Sequence, residues 1–545
     1  MVRPLLVRGA LVVDGSGGEP FAGDVAVGAG GRIGGIGPGI SPEEGGEVVD
    51  AGGLVLAPGF VDLHSHSDLY AMVDGEGGLP VGDEPKLLQG CTAQVFGQDG
   101  ISAAPVAEDD VADYAGYIAG LDGSLPPEAW TWRSFGEYLA ALSGRSVTRV
   151  AGLVGHSTVR RLVMGMAARP PTEVELEAMT AAVDAAMAEG AIGLSTGLVY
   201  APAAYAGTEE LVALCRVVAR HQGRFFVHVR SESDRVEEAT EEVLEVARRS
   251  GVHLHYSHIK TAGRANWARA EAMLAMIQDY RRSGVVVSAD VHPYTAGSTT
   301  ASVLVPPWVL EGGTEAALQR LLDADVRARV RDQVLTDTTS WDNWWAFSDG
   351  WTGLRVAGVA GSGAGVGAGG TIGDLAGRSF ADIIAGAGVS DLRSQAAFDV
   401  VLDLLVSARL GLSLVSFNNV ETNVARFMSQ PWCSVGSDAL VNPGGHPHPR
   451  LYGTFPRVLG RFSRELGTMS LPEAVSAMTG RAASVIGRAD LGRLEVGARA
   501  DMVLFDPAKV ADRATYDEPR LAPVGIERVW VGGRRLAGEG VIPMS

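Results

Sequence analysis

Two histidines close a short apolar run near the start of the chain, in the stretch FVDLHSHSD at 60–68. Side chains on a β-strand alternate faces, so His64 and His66 project to the same side if this run is a strand. Two neutral imidazoles held side by side bind a zinc-like cation well. A His-x-His pair at a strand edge also occurs as ordinary hydrogen-bonded structure, so a metal site requires further ligands elsewhere in the chain.

Further metal-competent side chains end three other apolar runs. His228 lies in the run 224–230, His258 ends the run 252–258, and Asp438 ends the run 433–438. The chain has only 11 histidines, which makes their place at strand ends informative. The pattern predicts a metal centre built from the ends of several strands.

Strands and helices alternate through the middle of the chain. The pattern predicts strands at 60–66, 92–98, 149–155, 191–196, 225–230, 252–258, 285–292 and 434–439, and helices at 172–189, 209–222, 235–249 and 266–283. Eight strands separated by helices predict a (β/α)8 barrel, whose active site lies at the carboxyl ends of the strands. The metal-ligand candidates lie at those ends.

The two ends of the chain are β-rich and have no helical period. We expect residues 1–57 and 491–545 to form one small β-sandwich, beside a distorted TIM-like barrel at 58–490. The interval between the seventh and eighth strands is too long for one βα unit, which predicts an inserted subdomain at about 295–350. The glycine-rich run 361–370 is predicted to be a mobile loop.

Composition is typical of a large enzyme and excludes several partners. The 545 residues suffice for one barrel-sized domain with appendages. The 45 basic and 64 acidic residues give a net charge of −19, which argues against nucleic acid or an anionic membrane surface. No apolar run approaches the roughly 20 residues of a membrane helix, and Arg8 interrupts the N-terminal apolar stretch, so we expect no export signal. Three cysteines form no disulfide framework, and we expect a cytoplasmic protein.

Several longer motifs resemble the N-acyl-D-amino-acid deacylases (D-aminoacylases) of the amidohydrolase superfamily over nearly the whole chain. They are PGFVDLHSHSD (58–68), GAIGLSTGLVYAP (190–202), SHIK (257–260), GSDA (436–439) and HPRLYGTFPRVLG (448–460). The last motif and GLVYAP are more specific to this branch than the others. The resemblance implies a distorted barrel with a small β-sandwich, one or two zinc ions per chain, and hydrolysis of N-acyl-D-amino acids to a carboxylate and a free D-amino acid.

The same resemblance implies particular metal ligands. They are His64, His66 and Asp438 for one ion, and His228 and His258 for the other. Where the family has a cysteine ligand after its second strand, this chain has Asp99. A carboxylate there could bridge two ions, although it is a harder ligand than a thiolate. Alternatively, Asp99 only bonds to a loop and one ion remains. Cys91, earlier on the same strand, is expected in the core.

Asp438 is the predicted proton shuttle, since an amine leaves only when it is protonated. The resemblance also implies that Lys260, Arg450, Tyr200 and Tyr294 hold the substrate carboxylate. Arg450 could equally be a surface arginine, and the two tyrosines could be simple packing. Ser298 is a weaker candidate.

Other histidines have open or structural interpretations. His156 lines the pocket or hydrogen-bonds a loop, and His255 is expected to face the helices, opposite to His258. Alternative functions on the same site are hydrolysis of D-configured dipeptides or of cyclic amides and imides, and a non-catalytic metal-binding scaffold. The metal ligands together with Asp438 argue against the scaffold.

Overall fold

The computed structural model describes residues 2–75, 77–359 and 373–538. Its strands are β1 (Leu5–Val12), β2 (Phe21–Val27), β3 (Ile33–Gly37), β4 (Glu47–Asp50), β5 (Val55–Pro58), β6 (Phe60–Asp62), β7 (Ser65–His66), β8 (Cys91–Phe96), β9 (Arg149–Gly152), β10 (Val154–Gly155), β11 (Gly193–Gly197), β12 (Arg224–His228), β13 (His253–Tyr256), β14 (Val287–Val291), β15 (Ala296–Thr300), β16 (Leu354–Val359), β17 (Leu412–Phe417), β18 (Cys433–Val435), β19 (Ala439–Leu440), β20 (Met502–Phe505), β21 (Ile526–Val531) and β22 (Arg534–Gly538).

The α-helices lie mostly between these strands. They are α1 (Glu84–Leu87), α2 (Val111–Asp122), α3 (Phe135–Leu142), α4 (His156–Met164), α5 (Glu173–Ala188), α6 (Thr208–Arg220), α7 (Val236–Ser250), α8 (Ala270–Arg282), α9 (Thr314–Leu321), α10 (Ala324–Thr336), α11 (Trp344–Phe347), α12 (Phe380–Gly386), α13 (Gln395–Ser407), α14 (Glu421–Met428), α15 (Arg450–Arg457), α16 (Leu471–Met478) and α17 (Gly480–Val485). Helix α5 shows how the sequence sets a boundary, since Thr172 and Glu175 form a capping box at its start.

Parallel strands close into a barrel in chain order. Strands β6, β8 and β9 pair in one sheet, and β10, β11, β12, β13, β14 and β18 in the next. Strand β19 continues β18 and pairs with β7, the continuation of β6, through the partners Ala439–Ser65 and Leu440–His66. Each of the eight predicted strands overlaps an observed strand. The prediction of a (β/α)8 barrel is confirmed.

The two faces of the barrel strands contribute to two separate apolar cores. Val61, Leu63, Ala93 and Val95 join Phe226 in an inner cluster, against which α17 packs. Their neighbours along the strands, such as Val227, belong to the larger cluster shared with the surrounding helices. Successive residues of a strand face opposite sides, so a strand buried on both faces needs apolar side chains at successive positions. This explains the continuous apolar runs in the sequence.

The two ends of the chain share one sheet. Its order is β22-β21-β20-β5-β1-β2-β3, with β4 also pairing with β1. Strand β5 pairs antiparallel with β20, which joins the N-terminal strands to the C-terminal ones. This sheet buries its own apolar cluster, including Val7, Val25, Met502 and Trp530.

Several elements separate the seventh barrel strand, β14, from the eighth, β18. They are the antiparallel sheet β15-β17-β16 and helices α9 to α14. The run 361–370, predicted to be a mobile loop, lies outside the described residues. Among the helices of the described ranges, none combines the length and the apolarity needed to span a bilayer.

Candidate metal centre and active site

The barrel brings the predicted metal ligands to one end. His66 is the last residue of β7, His228 is the last residue of β12, and His258 follows β13. His64 stands between β6 and β7, and Asp438 between β18 and β19. The His64 and His258 rings are 4.9 Å apart, and the His228 and His258 rings 4.5 Å apart. These residues are far apart in the chain, but they lie close together because the carboxyl ends of the strands meet at one end of the barrel.

Asp99 lies at the centre of the four histidines. Its Oδ1 is 3.5 Å from His64 Nε2 and 3.4 Å from His258 Nε2. Its Oδ2 is 3.6 Å from His66 Nε2 and 3.5 Å from His228 Nδ1. Two ligand atoms that share a tetrahedral zinc ion at about 2.0–2.1 Å are separated by about 3.4 Å. The carboxylate is thus spaced from the ring nitrogens as a co-ligand would be.

We call the space bounded by these residues and Asp438 the metal chamber. Two groups of side chains can each hold an ion there: His64, His66, Asp99 and Asp438 in one, and Asp99, His228 and His258 in the other. Asp99 belongs to both groups. The ligand atoms within each group lie within 4.8 Å of one another.

The donor atoms of the chamber fit a metal ion. Both ring nitrogens of His64 and of His228, and Nε2 of His66, are buried and have no hydrogen-bond partner among the described residues. Asp99 Oδ1 is also buried without a hydrogen-bond partner among the described residues. Leaving a buried polar atom unpaired costs about 1–3 kcal/mol, and native folds rarely accept several together. A cation bound among these atoms would supply the missing partner.

Electrostatics favour positive charge in the chamber. Burial alone would raise the pKa of Asp99, but the nearby His228 and His64 hold it well below its usual range. The pKa of Asp438 is likewise well below its usual range, because Arg450 and His258 outweigh the effect of burial. Two ionised carboxylates among imidazoles attract either protons or a metal ion.

Asp438 presents one oxygen to the chamber and the other to an arginine. Its Oδ1 is 3.5 Å from His66 Nε2, and its Oδ2 accepts a 2.7 Å hydrogen bond from Arg450 Nη1. Arg450 is fully buried and also donates to Ser298 O at 2.8 Å. Arg450 is therefore not a surface arginine, and it orients the carboxylate.

A buried lysine holds the loop that carries Asp438. Lys86 Nζ donates to Asp62 Oδ2 at 2.7 Å and to Ser437 Oγ at 2.6 Å. Asp62 Oδ1 accepts from the backbone N–H groups of Ser437 at 2.8 Å and His64 at 3.2 Å. We call Asp62, Lys86 and Ser437 the lysine network. It ties the His64 segment to the Asp438 segment.

Three chamber residues have left-handed backbones. The φ angles are 55° at Asp99, 34° at His258 and 51° at Asp438. Such angles are uncommon outside glycine and concentrate at functional sites. Gly97 shows how tightly this region is packed, since a Cβ there would lie 2.1 Å from Leu153 O.

Comparison with known proteins decides the family. The model of the amidohydrolase family matches residues 47–537. The N-acyl-D-aspartate deacylase of Alcaligenes xylosoxydans xylosoxydans is 35% identical over 97% of this chain and 91% of that protein. The chain belongs to the amidohydrolase family.

Other relatives agree in sequence and structure. The D-aminoacylase of Alcaligenes xylosoxydans xylosoxydans is 34% identical, over 97% of this chain and 93% of its own. One solved structure is the N-acyl-D-glutamate deacylase from Bordetella bronchiseptica, complexed with zinc and a phosphonate that mimics the tetrahedral intermediate. Its TM-score is 0.80 at 34% identity, and the match covers 99% of this chain and 97% of that one. A D-aminoacylase described by its binuclear metal centre has a TM-score of 0.78 and 33% identity, covering 98% and 96%.

The substrate-binding candidates of this amidohydrolase occupy different settings. Lys260 is buried, with Nζ 2.5 Å from Glu232 Oε1 and 2.8 Å from His258 Nδ1. Tyr200 packs its ring 5.3 Å from that of His228. Tyr294 is buried, with its Oη 3.5 Å from Pro449 O.

The cavity of the site is small and has polar walls. It has a volume of about 10 Å³, room for about one water molecule. Its lining residues are Asp99, Tyr200, His228, Glu232, His258, Lys260, Gly297, Ser298, Thr299, Trp344, Asn418 and Asp438. Tyr200 and Lys260 line this cavity, whereas Tyr294 and Arg450 are outside its lining.

Sequence reasoning missed three carboxylates that contact the histidines. Asp122 Oδ1 is 2.8 Å from His66 Nδ1, and Glu232 Oε1 is 2.9 Å from His258 Nδ1. Asp290 Oδ2 is 3.7 Å from His64 Nδ1. Such partners set the tautomer and orientation of a metal-binding imidazole. Asp290 could have been found, because it lies near the end of a predicted strand. Asp122 could not, since no local pattern links a helix end to His66.

The prediction that His255 faces the helices is wrong. Its Nε2 lies 2.8 Å from Asp290 Oδ2, and its ring packs 4.3 Å from that of Phe226 in the inner cluster. The alternation fails because β13 ends at Tyr256 and the backbone turns at His258. His255 supports the chamber from inside the barrel.

The remaining candidates have structural settings. His156 contacts Thr196 Oγ1 on β11 and Glu210 Oε1 on α6, each at 2.8 Å, so both of its ring nitrogens have partners. Cys91 is buried in the core, as predicted.

Proposed function

We propose that this amidohydrolase uses zinc to hydrolyse the amide bond of N-acyl-D-amino acids, releasing a carboxylate and a free D-amino acid. The observation that carries the proposal is the metal chamber, where Asp99 stands among four histidines whose ring nitrogens are spaced for metal binding. The relatives named as N-acyl-D-amino-acid deacylases, and the zinc in one of their structures, support the choice of substrate and metal.

The proposed ligands divide into two sets. His64, His66 and Asp438 hold one zinc ion, His228 and His258 hold the other, and Asp99 lies between them. Support comes from the two donor groups that share Asp99. A bound zinc ion supplies Lewis acidity, which polarises the amide carbonyl and makes a water molecule acidic enough to act at neutral pH.

Asp438 is the proposed proton shuttle. Its Oδ1 faces the chamber while Arg450 holds Oδ2, so Oδ1 is the oxygen that lies beside the metal site and can accept a proton. The same oxygen can then deliver that proton to the leaving nitrogen, which departs as a neutral amine. Arg450 acts here by orienting Asp438.

Lys260, Arg450, Tyr200 and Tyr294 are the proposed residues for the substrate carboxylate. Lys260 and Tyr200 are the better supported, because they line the cavity of the site. Lys260 and Arg450 already have carboxylate partners, Glu232 and Asp438. A substrate carboxylate would therefore share these cations with existing partners.

We also propose the finer domain division. Residues 1–57 and 491–545 form a β-sandwich, and residues 58–490 form the barrel with an insertion at about 295–350. The sheet shared by both ends of the chain supports the first unit. Strand β15 and helices α9 to α11, which interrupt the path from β14 to β18, support the insertion.

Paired enantiomers and metal analysis test the function together. The purified protein is assayed with N-acetyl-D- and N-acetyl-L-amino acids, and its zinc content is measured before and after chelation. We expect one or two zinc ions per chain, turnover of the D substrates, loss of turnover on chelation and recovery with added zinc.

Two results would contradict this assignment in different ways. Full activity in a rigorously zinc-free sample would remove the metal mechanism. Equal turnover of L and D substrates would remove the D-selective deacylase assignment and leave a metal-dependent amidohydrolase.

A further inference from the structure

Four polar side chains from two neighbouring barrel strands form a row that leads to the metal chamber. Strand β13 contributes His253 and His255, and β14 contributes Ser288 and Asp290. His255 and Ser288 are Cα partners across the two strands. Side chains two residues apart on a strand face the same way, so the four lie on one side of the pair. The row starts at the first residue of β13, at the end of the strand away from the chamber.

Hydrogen bonds connect the row from end to end. His253 Nε2 lies 2.9 Å from Ser288 Oγ, and the same Oγ lies 2.8 Å from His255 Nδ1. His255 Nε2 lies 2.8 Å from Asp290 Oδ2. Both ring nitrogens of His255 therefore have partners within the row, although its ring also packs against Phe226 in the apolar interior of the barrel. A buried polar network is stable only when its members are paired in this way.

Asp290 joins the row to the metal chamber. Its Oδ2 is 3.7 Å from His64 Nδ1, and its Oδ1 accepts a 2.9 Å hydrogen bond from the His258 N–H. Gly436, just after β18, leaves the space that this arrangement needs. A Cβ at Gly436 would lie 2.7 Å from Asp290 Oδ1 and 2.8 Å from His64 Cβ. The carboxylate of Asp290 is therefore held in one place beside a proposed metal ligand.

The direction of each hydrogen bond in the row follows from the groups that form it. Burial lowers the pKa of His255 below its usual range and lowers the pKa of His253 to about 3, so each neutral imidazole carries a single N–H. Burial alone would raise the pKa of Asp290, but its contacts with His255 and His64 hold it below its usual range. A carboxylate only accepts, so His255 Nε2 donates to Asp290 and His255 Nδ1 accepts from the Ser288 hydroxyl. That hydroxyl in turn accepts from His253 Nε2.

We propose that His253, Ser288 and His255 form a positioning chain for the metal centre. The chain holds Asp290, so that His64 keeps its proton on Nδ1 and presents Nε2 to the ion. The inference rests on the proposed function, since it takes His64 as a zinc ligand, and goes beyond it by assigning residues that do not touch the ion. The metal centre then depends on hydrogen bonds that run through the barrel as far as the first residue of β13.

Substitutions along the positioning chain interrupt it at different points. His255→Phe keeps an aromatic ring and removes both ring nitrogens, whereas His255→Gln restores an N–H that can reach Asp290. Ser288→Ala removes only the hydroxyl, and His253→Phe acts at the partly buried end of the chain. Ser434→Ala is the matched control for Ser288→Ala. Ser434 is the β18 partner of Asp290, and its buried Oγ has no hydrogen-bond partner among the described residues.

Zinc affinity and stability, measured on the same proteins, separate positioning from a purely structural role. Zinc affinity is measured by competition with a chromophoric chelator, and stability by urea unfolding of the zinc-free protein. We expect zinc affinity to fall by about 10- to 100-fold in His255→Phe, and by less in Ser288→Ala and then in His253→Phe. His255→Gln should recover much of the loss, and Ser434→Ala should keep the wild-type affinity. With Co²⁺ in place of zinc, the visible absorption bands should shift in His255→Phe and Ser288→Ala but not in Ser434→Ala.

The proposal is overturned if His255→Phe and Ser288→Ala bind zinc as tightly as the wild type and leave the cobalt spectrum unchanged. Lower stability without those changes would make the row a structural network only. If His255→Phe does not fold, Ser288→Ala and His253→Phe decide by the same two readouts. A wild-type protein that binds no zinc would overturn the inference together with the proposed metal mechanism. If zinc binds but no N-acyl-D-amino acid is turned over, the proposed substrate fails, and the zinc affinities still decide the positioning chain.

Discussion

The metal chamber and the lysine network are both buried polar clusters, but they differ in how their atoms are paired. In the lysine network, the carboxylate oxygens of Asp62, the Lys86 ammonium and the Ser437 hydroxyl all have hydrogen-bond partners. In the chamber, several histidine nitrogens have none among the described residues. A paired cluster holds the framework together, whereas an unpaired one costs stability unless a ligand completes it. The contrast separates the scaffold from the site.

The backbone shows the same contrast. Asp99, His258 and Asp438 have positive φ angles in the chamber, whereas Asp62, Lys86 and Ser437 have none. Strain of this kind persists only where the surroundings impose it. Changes in the chamber should therefore alter metal content and turnover, and changes in the lysine network should alter stability.

Asp99→Ala is expected to have the largest effect on turnover. In the proposed two-ion site, divalent ions about 3.5–4 Å apart would need an anion between them, and the substitution removes the proposed one. We expect loss of the more weakly held ion and of several kcal/mol of transition-state stabilisation, which is roughly 10³- to 10⁴-fold in rate. Metal analysis and kcat measure the two effects. Asp99→Cys should keep zinc and some turnover. If Asp99→Ala instead kept the metal content and the rate of the wild type, Asp99 would only bond to its loop.

Asp438→Asn separates proton transfer from metal binding. The amide keeps the size of the side chain and one oxygen for the chamber, but it cannot accept the proton. We expect kcat to fall by roughly 10²- to 10⁴-fold, with a smaller loss of zinc than in Asp99→Ala. A near-normal kcat would require another group to carry the proton.

Arg450→Ala tests whether this arginine belongs to the site or to its support. A clamp on the substrate carboxylate alone predicts a higher KM, whereas the hydrogen bond from Arg450 to Asp438 Oδ2 predicts a lower kcat as well. Loss of a buried charge partner costs on the order of 2–5 kcal/mol. We expect both constants to change while zinc content is retained. The clamp alone would be favoured if Arg450→Ala left kcat unchanged and raised KM only for substrates with a free carboxylate, not for their esters.

Lys86→Met is expected to affect turnover least and stability most. It leaves the buried Asp62 charge without its cation, which typically destabilises a protein by 3–5 kcal/mol. Urea unfolding measures the change, with zinc content followed in parallel. Lys509→Met is the control, since Lys509 pairs with Asp506 at 2.9 Å but is 74% exposed, and it should change nothing measurable. If Lys86→Met lost zinc without losing stability, the network would belong to the site.

Local patterns were sufficient for the barrel strands. Each of the eight predicted strands was found because its apolar run is bounded by turns and its side chains are buried on both faces. Prediction failed where the regular strand stops. His255 was assigned to the wrong face because the period of two residues applies only within β13, which ends at Tyr256. The charge partners of the site were also missed, since Glu232 and Lys260 lie on different loops and no spacing links them.

The sequence by itself determined which side chains end the barrel strands and the family to which the chain belongs, and the resemblance pointed to Asp99 as a candidate ligand. These conclusions depend only on residue types and their spacing along the chain, which are the same whether or not the chain is folded. Only the tertiary structure decided that Asp99 stands among four histidines and that Arg450 holds Asp438. Those facts depend on the closure of the barrel, where β7 meets β19, because closure places residues hundreds of positions apart within a few ångströms of one another.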